Sequence, residues 1–401
     1  MTTEQATLIE LIKCDVSGKA PEISASDIDW KAVIKESVEQ TVVLSSIYSA
    51  AAFKKQIPTE LFDNWFDKAR SVTARNIKAA KAQADLDALL RRKGYPYIIL
   101  KGEASASYYI NPDNRSLGDV DFLIDPTKKE EIADYLRREG YTSSMEGHTC
   151  HIVFKKGTAN LEMHFQVAGV PRGIAGERIE RFLADAHLKS VKKNIGSGEF
   201  SAPTDLYHGV ILLLHTEHHL LYEGIGLRHL ADLAAFINAT KDEPFWEEEL
   251  LPLLREIGLL TFLSVMTDIA VRYFGVEAPR WFTPPEKTLS DGILDDILDG
   301  GNFGRKNELR GRSGNLITNH KTDGKRHGKL YNLFRALKDS TDEVYPIVKK
   351  HPVLYAIFMP YRAIKYIVLV ICGKRVNLAK ALPIAEKRQK LYDDLHIFEV
   401  N

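Results

Sequence analysis

The sequence predicts an α+β protein in which a small mixed sheet is flanked by helical N-terminal and C-terminal regions. Two patterns predict this class. Apolar residues recur at helical spacing through residues 1–93 and again from residue 203 onward, whereas short β-rich runs bounded by turns fill the stretch between them. No repeat with a period of about 20–50 residues is present, which excludes solenoids and propellers.

These patterns divide the chain into five predicted regions. They are a helical N-terminal region (1–93), an α/β core (94–202), a helical domain that completes a cleft (203–300), a basic loop or lid (301–328) and a C-terminal helical region (329–401). In the first region, residues 31–54 form one apolar-striped helical stretch. Pro58-Thr59 begins a second, longer helix to about Arg92, which Gly94-Tyr95-Pro96 ends.

Short runs define the elements of the α/β core. We predict strands at 97–100 and 120–124, and helices at 103–110 and 128–140. The runs 150–156 and 160–167 are joined by Gly157-Thr158, which predicts that they pair as a hairpin. After Pro203, buried helices are predicted at 205–222 and 227–239.

Composition limits the function. The 401 residues contain 54 Lys+Arg and 54 Asp+Glu, and this balance excludes binding to nucleic acid through bulk charge alone. Three dispersed cysteines indicate neither a disulfide framework nor a cysteine-based zinc site, and they fit a reducing cytosol. The first 13 residues lack the pattern of a secretory signal, so we expect a cytoplasmic protein.

The pair Asp119 and Asp121 is the strongest chemical signal in the sequence. Side chains alternate along a strand, so both carboxylates point to one side and repel each other unless a cation lies between them. A hard divalent ion such as Mg²⁺ relieves that repulsion and keeps positions open for phosphate oxygens. Glu162, flanked by apolar residues in the next β-rich run, would supply a third carboxylate, and His164 would point to the same face.

These motifs resemble a known superfamily. Lys101-Gly102, then Arg115, Gly118-Asp119-Val120-Asp121 and Leu161-Glu162-Met163-His164 resemble the DNA-polymerase-beta-like nucleotidyltransferases. More narrowly, the chain is similar to a bacterial nucleotidyltransferase-like family often associated with surface-polysaccharide gene clusters. That family also shows a later helical segment with histidines followed by Leu-Arg-x-x-x-Asp, which reads here as His215 and then Leu227-Arg228 through Asp232.

The resemblance implies a metal-dependent enzyme that moves a nucleoside monophosphate from an NTP, ATP among them, to an acceptor hydroxyl with release of pyrophosphate. It implies that Asp119, Asp121 and Glu162 are catalytic and bind Mg²⁺ or Mn²⁺. It also implies nucleotide contacts by Lys101, Gly102, Arg115 and Gly118. One departure is Glu103, which puts a negative charge where the superfamily has Gly or Ser beside a phosphate.

The acceptor and the activity have alternatives. The gene-cluster association implies a sugar or polysaccharide-pathway acceptor, whereas toxin-type relatives act on tRNA or protein. A third interpretation is a catalytically inactive nucleotide-binding or scaffold module.

Several polar residues have both a functional and a structural interpretation. His164, His215 and Arg228 are candidate substrate contacts. Alternatively, the two histidines are satisfied inside the fold, and Arg228 pairs with Asp232 one helical turn away. Arg115 would contact phosphate or clamp its turn by pairing with Asp113 or Asp119.

Two later segments suggest partners. Residues 305–329 contain eight Lys or Arg and two acids, so they form a solvated loop, a lid, or a contact for phosphate or RNA. Residues 353–372 are the most apolar window. Pro360, Arg362 and Lys365 interrupt it, which disfavours a spanning helix. Its composition favours burial in a helix pair over an interfacial helix; in the latter case 353–375 would place the protein peripherally at the inner face of the membrane.

Overall fold

The computed structural model describes residues 1–23, 28–146, 148–313, 329–372 and 382–400. The architecture is α+β, as the sequence predicts: a mixed five-stranded sheet and a small two-stranded sheet lie among helices that precede and follow them.

The five-stranded sheet has the order β1-β2-β5-β4-β3. Its strands are β1 (Tyr97–Ile99), β2 (Val120–Ile124), β3 (Thr142–Ser144), β4 (His151–Lys156) and β5 (Ala159–His164). All neighbouring pairs are antiparallel except β2 and β5, which are parallel. The hairpin predicted around Gly157-Thr158 is the β4–β5 pair, and it is confirmed.

Four helices precede the sheet: α1 (Thr3–Ser17), α2 (Trp30–Glu39), α3 (Val43–Ala50) and α4 (Thr59–Lys93). The long α4 follows Pro58 and ends at Gly94, whose φ of 69° allows the left-handed turn that stops the helix. The single helical stretch predicted for 31–54 is divided instead, because Thr41 adopts a φ of 61° between α2 and α3.

The core contains three further helices and a second hairpin. The helices are α5 (Glu103–Ala106), α6 (Lys129–Arg138) and α7 (Ile174–Leu183), and the hairpin is formed by β6 (Ser190–Ile195) and β7 (Gly198–Pro203). Helix α5 is shorter than the predicted 103–110. The sequence analysis missed the β6–β7 hairpin.

Ten helices follow the hairpin in the described part of the chain. They are α8 (Asp205–Tyr222), α9 (Leu227–Thr240), α10 (Leu251–Glu256), α11 (Leu260–Tyr273), α12 (Lys287–Gly300), α13 (Glu308–Ser313), α14 (Lys329–Val344), α15 (Ile347–Lys350), α16 (Tyr355–Ile371) and α17 (Leu382–Asp393). Helices α8 and α9 lie where the sequence predicts them.

The sheet separates two hydrophobic clusters. Val120, Phe122 and Ile124 of β2 face one cluster together with the second half of α4 and with α6. Ile98 and Leu123 face the other, larger cluster, which includes α1, α8, α9 and α11. Alternate residues of one strand thus contact opposite layers, so the odd-numbered residues of β2 look toward the helical layer that contains α8 and α9.

Two segments in the C-terminal part differ from the sequence analysis. Residues 308–313, predicted as loop, form α13, because Arg310 enters the interior and pairs with Asp296 of α12. The rest of the predicted loop, 314–328, lies outside the described residues. Burial of 353–372 is the second prediction, and it is wrong: only 6% of its most apolar window is buried, and Ile357, Ile364 and Ile371 are exposed.

Candidate active site

Two of the three predicted acids lie side by side on the central strands. Asp121 of β2 is directly opposite Glu162 of β5 in the parallel register, so both carboxylates leave the same face of the sheet. Asp119 immediately precedes β2 and is two residues from Asp121, on that same face. Val120 and Phe122 point into the core behind them. The strands therefore bring the three acids to one face.

The segment before β2 is held from both sides by the N-terminal helices. The side chain of Asn76 on α4 donates to the carbonyl of Arg115 at 2.8 Å and accepts from the amide of Leu117 at 2.8 Å. Ser45 of α3 donates to the carbonyl of Asn114 at 3.1 Å. These bonds fix the backbone that delivers Asp119 to the sheet edge.

Asp121 is buried, and two side chains contact its carboxylate. Lys101 Nζ lies 3.0 Å from Asp121 Oδ1, and His164 Nε2 lies 3.0 Å from the same oxygen. Burial alone would raise the pKa of Asp121, but the charge of Lys101 and the hydrogen bond from His164 lower it well below its usual range. Asp121 is therefore an ionised carboxylate held by two cation-bearing side chains.

Asp119 has the opposite electrostatic character. It is exposed at the edge of the site, where partial desolvation and the negative charges of Glu162 and Asp121 raise its pKa. A carboxyl whose pKa is raised by neighbouring carboxylates lies in a concentration of negative charge, which a bound divalent cation would relieve.

A second donor group overlaps the acids at Glu162. The ligand atoms of His151, Glu162 and His164 lie within 4.8 Å of one another, and this group contains only Glu162 of the three predicted acids. Burial and the neighbouring His164 lower the pKa of His151 to about 4, so its imidazole is neutral and able to bind a metal. The sequence analysis missed His151, which the register of the β4–β5 hairpin places opposite His164.

Arg115 forms a buried ion pair across the domain. Its Nε and Nη2 each lie 2.7 Å from a carboxylate oxygen of Asp232 on α9, and Tyr109 donates to the same carboxylate at 2.7 Å. The partner is thus Asp232, not Asp113 or Asp119. The ion pair between Arg115 and Asp232 therefore replaces the predicted pair between Arg228 and Asp232, and it joins the loop before β2 to α9.

Gly102 and Glu103 lie next to Lys101, at the end of β1. Gly102 has a φ of 63°, a conformation that favours glycine, and it starts α5. Burial raises the pKa of Glu103, whose carboxylate accepts from Gln83 of α4 at 2.6 Å and from the amide of Ser197 at 2.8 Å. Glu103 lines a cavity of about 790 Å³ whose walls include none of the three acids. Its charge is therefore directed away from Asp119, Asp121 and Glu162.

The helical layer places further predicted residues near Lys101. Burial and the charge of Lys101 hold the pKa of His215 on α8 well below its ordinary value, so this side chain is neutral. Its ring centroid is 4.3 Å from that of His219 and 5.9 Å from that of His229. Arg228 Nε and both ring nitrogens of His229 are buried without a hydrogen-bond partner among the described residues.

Gly118 is exposed between Leu117 and Asp119.

Comparisons with known proteins fit this arrangement. A family model described as an uncharacterised nucleotidyltransferase matches residues 26–275, more than half of the chain. The matched range contains every strand of the sheet and all the predicted site residues. No curated protein and no solved structure matches the chain. The chain therefore belongs to this family of uncharacterised nucleotidyltransferases.

Proposed function

We propose that this nucleotidyltransferase is metal-dependent and transfers a nucleoside monophosphate from an NTP to the hydroxyl of a small polar acceptor, a sugar of a polysaccharide pathway. One observation carries the proposal: Asp121 and Glu162 are opposite each other on parallel strands, with Asp119 two residues away on the same face.

The donor set fits a divalent cation. Desolvation raises the pKa of Asp119, and the negative charges of Glu162 and Asp121 raise it further, so a divalent cation beside Asp119 would relieve this repulsion. Asp119, Asp121 and Glu162 would hold Mg²⁺ or Mn²⁺ through carboxylate oxygens, which both ions accept. When bound, the metal supplies positive charge that stabilises the phosphates during transfer.

The surrounding residues support phosphoryl transfer through position and charge. Lys101 bonds to Asp121, so a cation at Asp121 would release its ammonium group to bind a phosphate of the NTP. His164 holds the Asp121 carboxylate in place at 3.0 Å. The acceptor hydroxyl oxygen then forms a bond to the α-phosphorus. The bond from that phosphorus to the bridging oxygen breaks, pyrophosphate leaves, and the hydroxyl proton passes to water.

The basic segment that would favour an RNA acceptor is partly engaged within the protein. Two cations of the predicted basic segment serve inside the fold: Lys306 bonds to Glu36 at 2.8 Å, and Arg310 pairs with Asp296. Neither offers its charge to an external phosphate chain. An RNA or protein acceptor, as in toxin-type relatives, therefore becomes an outcome of the test.

The test is nucleotidyl transfer itself. The purified chain is incubated with each α-labelled NTP, Mg²⁺ or Mn²⁺, and a cell extract separated into sugar, glycan, RNA and protein fractions. We expect label in the sugar or glycan fraction together with pyrophosphate. Asp121→Asn and Glu162→Gln should each reduce transfer by about 100-fold or more, since each removes charge from the reacting centre.

Matched controls separate site effects from general ones. Asp67→Asn and Glu130→Gln remove exposed carboxylates outside the group of three acids and should leave transfer unchanged. Label in RNA or protein would replace the sugar acceptor by that class. Nucleotide binding without pyrophosphate release in any fraction would contradict enzymatic transfer and support the scaffold interpretation.

The overlapping donor group makes the metal testable. Imidazole ligands favour Zn²⁺, Cu²⁺, Fe²⁺ or Ni²⁺, whereas carboxylates alone favour Mg²⁺ or Mn²⁺. If only the three acids bind the metal, His151→Gln should preserve activity with Mg²⁺. A loss of activity in His151→Gln, restored by none of the ions tested, would place His151 among the ligands instead.

A further inference from the structure

Helix α16 presents an apolar face to solvent. Its exposed residues recur every three or four positions along the helix, the spacing of a single face: Val353 in the preceding turn, then Ile357, Tyr361, Ile364, Val368 and Ile371. In a soluble protein this face would be polar. The distribution is therefore reversed relative to an ordinary surface helix, and a row of exposed apolar side chains on one face indicates an interaction site.

The other side of α16 is occupied by the protein itself. Helix α16 packs against α14, where Met359 is buried and Arg362 donates to Ser340 of α14. Tyr345 and Phe358 stack with their ring centroids 4.4 Å apart. Because these contacts fix the rotation of α16, its apolar face stays outward when the helix is packed on its neighbour.

Charge indicates what covers the face. Between Glu343 and Glu386 the sequence contains seven Lys or Arg and no Asp or Glu. Lys349 and Lys350 are exposed just before the helix, Lys365 is exposed within it, and Lys374 and Arg375 follow it directly in the sequence. An apolar face accompanied only by cations matches a surface of acyl chains and anionic headgroups. A second copy of the same cationic segment would repel it.

We propose that α16 lies in the interface of an anionic phospholipid membrane and holds the enzyme there. Together with the turn before it, α16 forms a 20-residue segment, Pro352–Ile371, that is long and apolar enough to cross a membrane by length and composition alone. Arg362 and Lys365 lie near the middle of this segment, where a spanning helix would bury both charges in hydrocarbon, so we assign the interfacial orientation. The proposal is independent of the identity of the acceptor and of catalysis.

The experiment is co-sedimentation of the full chain with vesicles. One set contains phosphatidylcholine alone and the other contains phosphatidylcholine with phosphatidylglycerol at 3:1. We expect binding to the anionic vesicles that weakens with added salt. The double variant Ile357→Glu/Ile364→Glu should bind at least about 10-fold more weakly, because two apolar side chains no longer enter the interface.

A matched control and a second variant keep the test decisive. Ile110 is as exposed as Ile364, at 61% against 62%, so Ile110→Glu should bind like the unmodified chain. Lys349→Gln/Lys350→Gln changes only exposed residues and should weaken binding to anionic vesicles by about 5-fold per lysine, with little change for neutral ones. Circular dichroism verifies that each variant is folded.

Three results would overturn the proposal. The first is equal vesicle binding by Ile357→Glu/Ile364→Glu and the unmodified chain. The second is a dimer that the same variant dissociates, with no vesicle binding by either protein, which would assign the face to a second copy. The third is binding that resists alkaline carbonate, which would indicate a spanning helix.

Discussion

The ion pair between Arg115 and Asp232 allows two roles of Arg115 to be separated. Both side chains are nearly inaccessible, at 5% and 4% exposed, and two bonds of 2.7 Å join them. Replacement of Arg115 by Met leaves the Asp232 carboxylate buried, with the Tyr109 hydroxyl as its remaining hydrogen-bond donor among the described residues. Such a truncation costs about 3–5 kcal/mol in the free energy of unfolding. Asp232→Leu should cost a similar amount, because it leaves the Arg115 guanidinium without its partner near Arg228.

The double variant Arg115→Met/Asp232→Leu removes both charges and should be less destabilised than the sum of the single variants. We expect a coupling energy of about 2–3 kcal/mol. Equilibrium urea unfolding, followed by tryptophan fluorescence and circular dichroism, measures all four free energies. Arg92→Met is the control: Arg92 pairs with Glu139 at the surface, at 2.6 Å, and its loss should cost less than about 1 kcal/mol.

Nucleotide affinity completes the experiment. If Arg115 acts through Asp232, the folded Arg115→Met protein should bind NTP within a few-fold of the unmodified chain. Additive single effects, within about 0.5 kcal/mol, would refute the coupled pair. A large loss of NTP affinity with unchanged stability would instead make Arg115 a phosphate ligand.

Three further outcomes follow from the buried acids. Burial raises the pKa of Asp15 to about 6, so the folded state binds this proton more tightly than the unfolded state does. The free energy of unfolding therefore falls as the pH rises from about 4 to 6. In thermal unfolding, Asp15→Asn should be more stable than the unmodified chain by up to about 3 kcal/mol at pH 7.5, and this gain should disappear near pH 4. Glu103→Ala should speed hydrogen exchange in 190–203, since the amide of Ser197 loses its acceptor, whereas Glu103→Gln should behave like the unmodified chain. Asp296→Ala leaves two buried arginines without a counter-charge and should cost about 3–5 kcal/mol, with α17 becoming sensitive to limited proteolysis.

Local pattern predicted the core elements well. The run Val120–Ile124 is apolar and β-branched around a single acid, and it forms β2 over the predicted residues. The β4–β5 hairpin has Gly157 at its turn, with a φ of 58° that favours glycine. From the same pattern came the shared face of Asp119 and Asp121. These features depend only on neighbours within a few residues.

Features that depend on distant partners were not predictable in this way. Arg115 finds its carboxylate 117 positions downstream, and no spacing rule connects the two residues. Thr41 divides α2 from α3 with a backbone conformation that is rare for a β-branched residue. The β6–β7 hairpin was not predicted, because the adjacent Lys192 and Lys193 interrupt the alternation of apolar and polar residues in β6. Hydropathy predicted burial of α16 because it counts apolar residues without saying which molecule covers them.

Because Lys101 and His164 contact Asp121, we expect the protein to fold without a metal ion bound at this carboxylate. A carboxylate already neutralised by side chains of its own chain needs no ion to fold around it. Chelators should therefore abolish the proposed transfer activity without unfolding the protein. Metal could then be removed from a purified sample and replaced by one ion at a time. A divalent cation bound at Asp121 would compete with Lys101, so its binding would also free the Lys101 ammonium group to contact a phosphate.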